Sequence, residues 1–156
     1  MDLNREVELL RRIPLFSALE PAKLKLLAFT SDRVRFESGQ ELFHQGDVGD
    51  AAYVILRGEA AVIVDTEAGP IQVASVPEHT LVGEIAIVCD VARTATVKAT
   101  TGTETLKINK DQFLRLLKEF PEMALDVMRV LAERLSATTA ELSEARSELK
   151  SIETKH

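Results

Sequence analysis

The sequence has few of the residues that disulfides, metal sites and nucleic-acid surfaces require. Its one cysteine, Cys89, cannot form a disulfide within the chain, and its three histidines lack the spacing of a metal site. Aspartate and glutamate number 25 against 19 lysines and arginines, so the formal net charge of −6 gives no general attraction to nucleic acid. We therefore expect no bound metal, no cofactor and no direct contact with nucleic acid.

Apolar runs long enough to span a bilayer are also missing. The first six residues are charged and do not resemble a signal peptide. Neither a nucleophile elbow nor a paired-acid motif stands out among the serines and acidic residues. These absences predict a cytoplasmic protein that does not associate with membranes, is not an enzyme and has no catalytic residues.

What is present is a chain of 156 residues, 46% of them hydrophobic, which is enough to bury the core of one domain. It contains no internal repeat, low-complexity tract or linker. We therefore predict a single domain over residues 1–156. Within it, residues 1–31 form N-terminal helices, residues 32–109 form a series of strands, and residues 110–156 form C-terminal helices.

Helix signals lie at both ends of the chain. A short amphipathic helix is predicted from Leu3 to Arg12, and Pro14 ends it. A second helix is predicted from Pro21, which suits a first helical position, to about Phe29. Near the C-terminus, a helix over about residues 110–118 precedes a long final helix that Pro121 opens.

Between these helices the apolar period changes from about four residues to two, which is typical of strands. Glycine and proline separate the apolar segments at intervals of about ten residues. Roughly eight short strands at this spacing favour a sandwich or barrel over a parallel sheet. The predicted segments lie around Val34, Leu42-Phe43, Ala51–Arg57, Glu59–Asp65, Ile71–Val76, Ala95–Ala99 and Thr103–Ile108.

One stretch combines a glycine, an acid and an arginine in an apolar context. Gly83-Glu84-Ile85-Ala86 is followed, ten residues after the glycine, by Arg93-Thr94-Ala95. A one-turn helix opened by the glycine would present N–H groups that have no partner within it, and these favour an anion. The arginine can add a forked contact to that anion, and the glutamate can accept a hydrogen bond from a hydroxyl. The pattern predicts a pocket for a sugar phosphate.

The residues from Val82 to Val97, V-G-E-I-A-I-V-C-D-V-A-R-T-A-T-V, resemble the phosphate-binding cassette of cyclic nucleotide-binding domains. An upstream block is similar to the same family's pattern at the expected distance, with Gly46-Asp47-Val48-Gly49-Asp50 followed by Tyr53 and Gly58. The likeness extends from about Leu15 to the C-terminal helix. Two such blocks in the right order are a specific signal.

The resemblance implies a mainly β fold with flanking helices, an antiparallel β-roll of jelly-roll type interrupted by the cassette over residues 82–97. It implies that cAMP or cGMP is the ligand, that Arg93 contacts the cyclic phosphate and that Glu84 accepts from the ribose 2′-hydroxyl. Thr94 does not settle which base is preferred. Side chains of the final helix between Met128 and Leu135, or Arg134, are expected to cover the base. The predicted ligand-binding residues are Gly83, Glu84, Ile85, Ala86, Arg93, Thr94 and Ala95.

The cassette departs from the commonest family pattern at two positions. Asp90 occupies a place often held by glycine, and its charge near a phosphate could weaken binding; Ala92 stands where proline or another residue often precedes the arginine. For Arg93, the alternative to ligand contact is a salt bridge with Asp90 or Glu84. Cys89 is expected to be a small apolar filler.

The final helix carries an apolar residue at every third or fourth position, the heptad pattern of a two-stranded coiled coil. We expect its first turns, residues 123–135, to pack on the chain's own roll and its later turns to pair with a second copy, as the resemblance to bacterial regulators also implies. The orientation of the pair stays open. The stripe consists of Met128, Leu131, Leu135, Thr138, Leu142, Ala145, Leu149 and Ile152.

Together these patterns predict a cytoplasmic regulatory protein that binds a cyclic nucleotide, repositions its C-terminal helix and acts on an effector protein. Two alternatives stay open. One is a truncated transcription regulator of the cAMP receptor class, since a helix-turn-helix follows the long helix in such proteins but not in this sequence. The other is a degenerate roll that dimerises without binding nucleotide.

Overall fold

A computed structural model describes residues 3–154, apart from the side chains of residues 134, 135, 137, 138, 153 and 154. The helices in the described part are α1 (Leu3–Arg11), α2 (Pro21–Thr30), α3 (Glu84–Val88), α4 (Lys110–Glu119) and α5 (Pro121–Thr154), with a 3₁₀ turn at Pro14–Phe16. The strands are β1 (Asp32–Phe36), β2 (Glu41–Phe43), β3 (Ala51–Arg57), β4 (Ala60–Thr66), β5 (Gly69–Val76), β6 (Leu81–Val82), β7 (Thr96–Ala99) and β8 (Thr103–Asn109).

The eight strands form two four-stranded antiparallel sheets. One has the order β1-β8-β3-β6 and the other the order β2-β7-β4-β5. Apart from β4 and β5, which pair in one sheet, strands that are consecutive in sequence lie in different sheets, as in a jelly roll. This arrangement confirms the predicted fold class.

The first sheet lies between two apolar layers, and the side chains of β3 belong alternately to each. Ala51, Tyr53 and Ile55 belong to the cluster between the sheets, together with residues such as Val97. Their neighbours in sequence belong to a second cluster, formed with the helices. Because successive side chains of a strand point to opposite faces, a strand covered on both faces is apolar throughout. This explains the unbroken apolar run of β3.

The helical layer contains the N-terminal helices and the start of α5. Leu10, Phe16 and Leu24 are fully buried in it, together with Phe113 of α4 and Met123 of α5. An ion pair ties this layer to the roll, since Arg33 Nη2 at the start of β1 lies 2.5 Å from Oε1 of the buried Glu6.

The predicted elements differ from the observed ones at two places. The two-residue strand β6 was not predicted, because two residues are too few to show an alternating period. The chain was expected to leave helical structure at Pro14, but Pro14–Phe16 continue as a 3₁₀ turn that buries Phe16. The predicted helix ends agree with the observed ones to within one residue.

Helix α5 contains 34 residues, and among its described side chains the buried ones lie in the first turns. Met123 and Val127 are buried, whereas Met128 is 61% exposed, so the expected packing of residues 123–135 applies to one face only. Leu142 and Leu149 are exposed as well. Within residues 3–154, none of the helices combines the length and the apolar character that a bilayer-spanning segment needs.

Candidate functional site

The glycine of the cassette is the junction between β6 and α3. Gly83 has a φ of +91° and is the N-cap of α3. This left-handed conformation is accessible to glycine at little cost and strains other residues. A Cβ at this position would lie 2.8 Å from Arg93 Nη1 and 3.1 Å from Phe43 Cε2. Glycine is therefore required here both for the turn and for the close approach of the arginine.

Arg93 is turned into the roll, where its guanidinium lies beside Gly83. Nη1 donates to the Gly83 carbonyl at 2.7 Å, and Nη2 donates to the Ala51 carbonyl at 2.5 Å. The residue is only 3% exposed. The two predicted site residues that are ten positions apart in sequence are thus in direct contact.

Burial is the main influence on the pKa of Arg93. Desolvation lowers the pKa of its guanidinium from the ordinary value, while Asp50, Tyr53, Asp47 and Glu84 act in the opposite direction. The exposed Asp50 carboxylate lies 4.0 Å from Nη2. The Nε–H has no hydrogen-bond partner among the described residues. A buried cation with an unused donor is a favourable place for an anion.

Of the alternatives for Arg93, a salt bridge with Asp90 or with Glu84, the one with Asp90 is wrong, because Asp90 pairs with Lys110. Its carboxylate lies 3.4 Å from Lys110 Nζ, at the surface. Asp90 has a φ of +52°, which explains why glycine is common at this place in the family pattern. The adjacent Cys89 is exposed, so the expectation that it fills an apolar space is also wrong.

The remaining predicted site residues surround this pair at different depths. Glu84 and Ala86 are buried in α3, and Ile85 between them is half-buried. On the far side of the loop, Ala95 is half-buried and Thr94 is exposed. The first turn of α3, the arginine and the buried glutamate are therefore in one place.

The upstream motif is joined to the cassette through the backbone. The Gly46 N–H donates to the Arg93 carbonyl, and the Arg93 N–H donates to the Asp47 carbonyl, both at 2.8 Å. Gly49 packs on Ala86 so closely that a Cβ at position 49 would lie 2.4 Å from the Ala86 Cβ. The two sequence blocks thus form one structural unit, with Gly46 at a φ of +93°.

A cleft of about 590 Å³ opens beside the cassette helix. Glu84 lines it together with residues 13–15, residues 79–81 and the face of α5 that carries Val127 and Val130. Met128, which was expected to cover a base, is exposed and does not line this cleft. Val130, which falls in the expected range from Met128 to Leu135, does line it. The side chains of Arg134 and Leu135, also expected to cover the base, lie outside the described residues.

Two groups around Arg93 were not predicted from the sequence. The ring of Phe43 in β2 lies 4.0 Å from the guanidinium carbon of Arg93, and the Ala51 carbonyl accepts one of its hydrogen bonds. Both residues precede the cassette by more than thirty positions, and neither is one of the motif residues, although Ala51 directly follows Asp50 of the upstream block. Phe43 could have been identified from its pairing with Val97, but that register is known only from the fold.

The sequence profile of the cyclic nucleotide-binding domain matches residues 33–120. A regulatory subunit of cAMP-dependent protein kinase from Emericella nidulans is 33% identical over 108 residues, which are 69% of this chain. Those residues make up 26% of that protein, so the chain spans about a quarter of the relative's length.

Two solved structures show the same architecture. The sensor domain of the transcriptional regulator DNR from Pseudomonas aeruginosa has a TM-score of 0.77 at 25% identity, covering 85% of this chain and 90% of that one. The Catabolite Activator Protein of Thermus thermophilus has a TM-score of 0.75 at 28% identity, covering 83% of this chain and 62% of that one.

Proposed function

The chain belongs to the cyclic nucleotide-binding domain family, and from that premise we propose that it is a non-catalytic receptor for cAMP or cGMP. In this proposal the nucleotide binds at the cassette between β6 and β7. Binding then changes the position of α5, through which the receptor acts on an effector protein. The cytoplasm as its location stays a prediction from the sequence.

The observation that carries this proposal is the buried contact between Arg93 and Gly83. It places a guanidinium, 3% exposed, next to the first turn of a helix. Both groups attract anions, and the low dielectric around them strengthens the attraction. Glu84 is buried within the same unit and can accept a hydrogen bond from a hydroxyl of the same ligand.

Each predicted site residue has a role in this proposal. Arg93 contacts the cyclic phosphate, and the backbone N–H groups of Ile85, Ala86 and Ala95 contribute further donors. Gly83 allows the close approach of backbone and ligand, and Glu84 accepts from the ribose 2′-hydroxyl. Thr94 is exposed at the rim and can donate either to the phosphate or to the base. A phosphate at Arg93 would compete with the carbonyls of Gly83 and Ala51 for its donors.

Coupling to α5 is supported by what the cassette helix touches. Ile87 of α3 lies in the same apolar cluster as Met123 of α5, and Glu84 lines the same cleft as Val127. A ligand can shift a conformation only through contacts that differ between the two states. We propose that ordering of α3 by the nucleotide changes these contacts and thereby moves the start of α5.

The exposed stripe of α5 supports homodimerisation through this helix. Leu142, Leu149 and Ile152 are each more than half exposed and continue a heptad spacing. The face that packs on the chain's own roll, with Met123 and Val127, is a different one. A stripe of this length and spacing is typical of a two-stranded coiled coil.

Calorimetric titration with cAMP and, separately, cGMP tests the proposal. Micromolar or tighter binding is expected, and the ratio of the two affinities identifies the signal. Arg93→Lys keeps the charge but loses the fork, so we expect binding to weaken by about ten- to a hundredfold. Arg35→Lys is the matched control, because Arg35 is exposed on β1 and distant in sequence from the cassette.

Arg93→Ala is the less informative variant, because it also removes the donors to Gly83 and Ala51 and so disturbs the fold. For Glu84→Gln, which keeps the shape of the side chain, we expect a preferential loss of ligands that carry a free 2′-hydroxyl. Binding that is unchanged in Arg93→Lys would contradict the assignment of the phosphate site. No heat and no thermal shift with either nucleotide would indicate instead a roll that dimerises without ligand.

A second candidate is the sensory part of a transcription regulator, and the likeness to the sensor domain of DNR and to the Catabolite Activator Protein favours it. In this case the cassette chemistry is the same and the effector is a DNA-binding domain in the same polypeptide. The coding sequence beyond codon 156 discriminates between the two candidates, because a helix-turn-helix there would establish the second.

A further inference from the structure

A row of three aromatic rings inside the roll ends at the guanidinium of Arg93. The ring centroids of Phe36 and Tyr53 are 6.0 Å apart in an edge-to-face arrangement, and those of Tyr53 and Phe43 are 6.1 Å apart. Arg93 Cζ then lies 4.0 Å from the centroid of Phe43. Three of the seven aromatic residues of the chain thus belong to one row directed at the candidate phosphate site.

The position of the Phe43 ring follows from strand pairing. Phe43 is opposite Val97 in the β2–β7 pair, and Val97 follows Arg93 by four residues. A Cβ built at Gly83 would lie 3.1 Å from Phe43 Cε2, which is closer than an ordinary van der Waals contact. Phe43, Gly83 and Arg93 therefore pack against one another, and a side chain at position 83 would displace the other two.

The guanidinium makes two kinds of contact, hydrogen bonds to backbone carbonyls and a cation–π contact with the Phe43 ring. Its edge donates to the carbonyls of Gly83 and Ala51, and these contacts lie in the plane of the group. The guanidinium carbon lies over the face of the Phe43 ring, 4.0 Å from its centroid, where a cation is attracted by the electron-rich surface of the ring. Burial disfavours the charged form of Arg93 and lowers its pKa. The ring offsets part of that effect without using any of the N–H donors.

We propose that Phe43 is the positioning residue for Arg93, and that the aromatic face at position 43, rather than its apolar volume, sets the affinity for the cyclic phosphate. This inference rests on the proposed function. Phe43 acts through the arginine: it fixes the plane of the guanidinium, so that the donors are already oriented when the anion arrives. Loss of the ring leaves the same charge with several orientations, and ordering them weakens binding.

The test compares Phe43→Leu, which keeps an apolar side chain of similar size, with Phe43→Tyr, which keeps the ring. Calorimetric titration with cAMP and cGMP is expected to show about tenfold weaker binding for the leucine variant. The tyrosine variant is expected to stay within about threefold of the parent. Equal affinities in the two variants would overturn the proposal, because apolar volume would then be sufficient.

A double-mutant cycle with Arg93→Lys adds a readout that a purely structural role would not move. If Phe43 acts through the guanidinium, Phe43→Leu weakens binding much less when Arg93 is already lysine. Additive losses would overturn the proposal. If the parent protein binds neither nucleotide, the proposed function itself fails, and the inference fails with it. If the parent binds and the two Phe43 variants behave alike, only the inference fails.

The contact can also be measured without ligand, which serves if the leucine variant does not fold. The Arg93 Hδ protons are expected upfield of those of the exposed arginines in the NMR spectrum, because they lie near the face of the Phe43 ring. The shift should persist in Phe43→Tyr. Arginine resonances at their ordinary positions in the parent protein would overturn the proposal.

Discussion

Comparing Gly83→Ala with Gly39→Ala separates two reasons why the cassette has a glycine at position 83: its backbone conformation and the lack of space beside Arg93. Both glycines have a positive φ, +91° at position 83 and +93° at position 39, so an alanine strains the backbone at either place. A Cβ at position 39 meets nothing within 4 Å. At position 83 it lies 2.8 Å from Arg93 Nη1 and 3.3 Å from the Ala51 carbonyl oxygen. The pair therefore differs mainly in the packing around Arg93.

The expected losses of stability follow from these two terms. The left-handed conformation costs an alanine about 1–2 kcal/mol at either position. Overlap with a well-packed neighbour adds about 1–3 kcal/mol at position 83 alone. The unfolding free energy of Gly83→Ala should therefore lie below that of Gly39→Ala by about 1–3 kcal/mol. For a chain of this size, each kcal/mol corresponds to about 2–4 °C in Tm.

Urea denaturation of the two variants measures this difference, and calorimetric titration measures its effect on the site. Because the added methyl group displaces the guanidinium, we expect Gly83→Ala to bind cyclic nucleotide at least tenfold more weakly than the parent. Gly39→Ala should bind as the parent does. Equal destabilisation by the two alanines, with equal affinities, would refute the conclusion that Gly83 and Arg93 are packed together.

Three further predictions concern charges and the long helix. Arg33→Met deprives the buried Glu6 carboxylate of its cation, and urea denaturation should show a loss of about 1–3 kcal/mol. Asp90→Asn removes a negative charge from the cassette loop, and asparagine tolerates the positive φ at this position. Calorimetry should show cyclic nucleotide binding about two- to fivefold more tightly at low salt, and this difference should disappear at high salt. Leu142→Arg should abolish self-association in sedimentation velocity and leave the nucleotide affinity unchanged, because Leu142 is 54% exposed and distant in sequence from the cassette.

The sequence was sufficient to predict the fold class because its local signals agree with one another. The alternation around Val34, the helix-opening Pro21 and the turns at Gly46 and Gly58 all lie where the structure has strand, helix and turn. The short strand β6 was missed because two residues show no period. The burial of Glu6 was missed too, since its cation, Arg33, is on a different element.

The candidate site could be predicted in its residues but not in its geometry. The motif indicated which residues belong to the cassette, since glycine, glutamate and arginine at that spacing suit one ligand. It did not indicate that Arg93 points into the roll, because its acceptors, at Gly83 and Ala51, are backbone carbonyls that carry no sequence signature. Phe43 was absent from the prediction for the same reason, since its place beside Arg93 depends on the register of β2 against β7.

The contact between Gly49 and Ala86 makes two distant codons interdependent. A Cβ at position 49 would overlap the methyl group of Ala86 at 2.4 Å, so an alanine cannot be accepted there while position 86 is unchanged. If Ala86 becomes glycine first, the 2.4 Å overlap is removed, and the nearest of the remaining contacts is the backbone carbonyl carbon of residue 86 at 3.3 Å. In the evolution of this chain, Ala86→Gly should therefore come before a substitution of Gly49 by a larger residue. A chain engineered in the opposite order should pass through an intermediate that folds poorly.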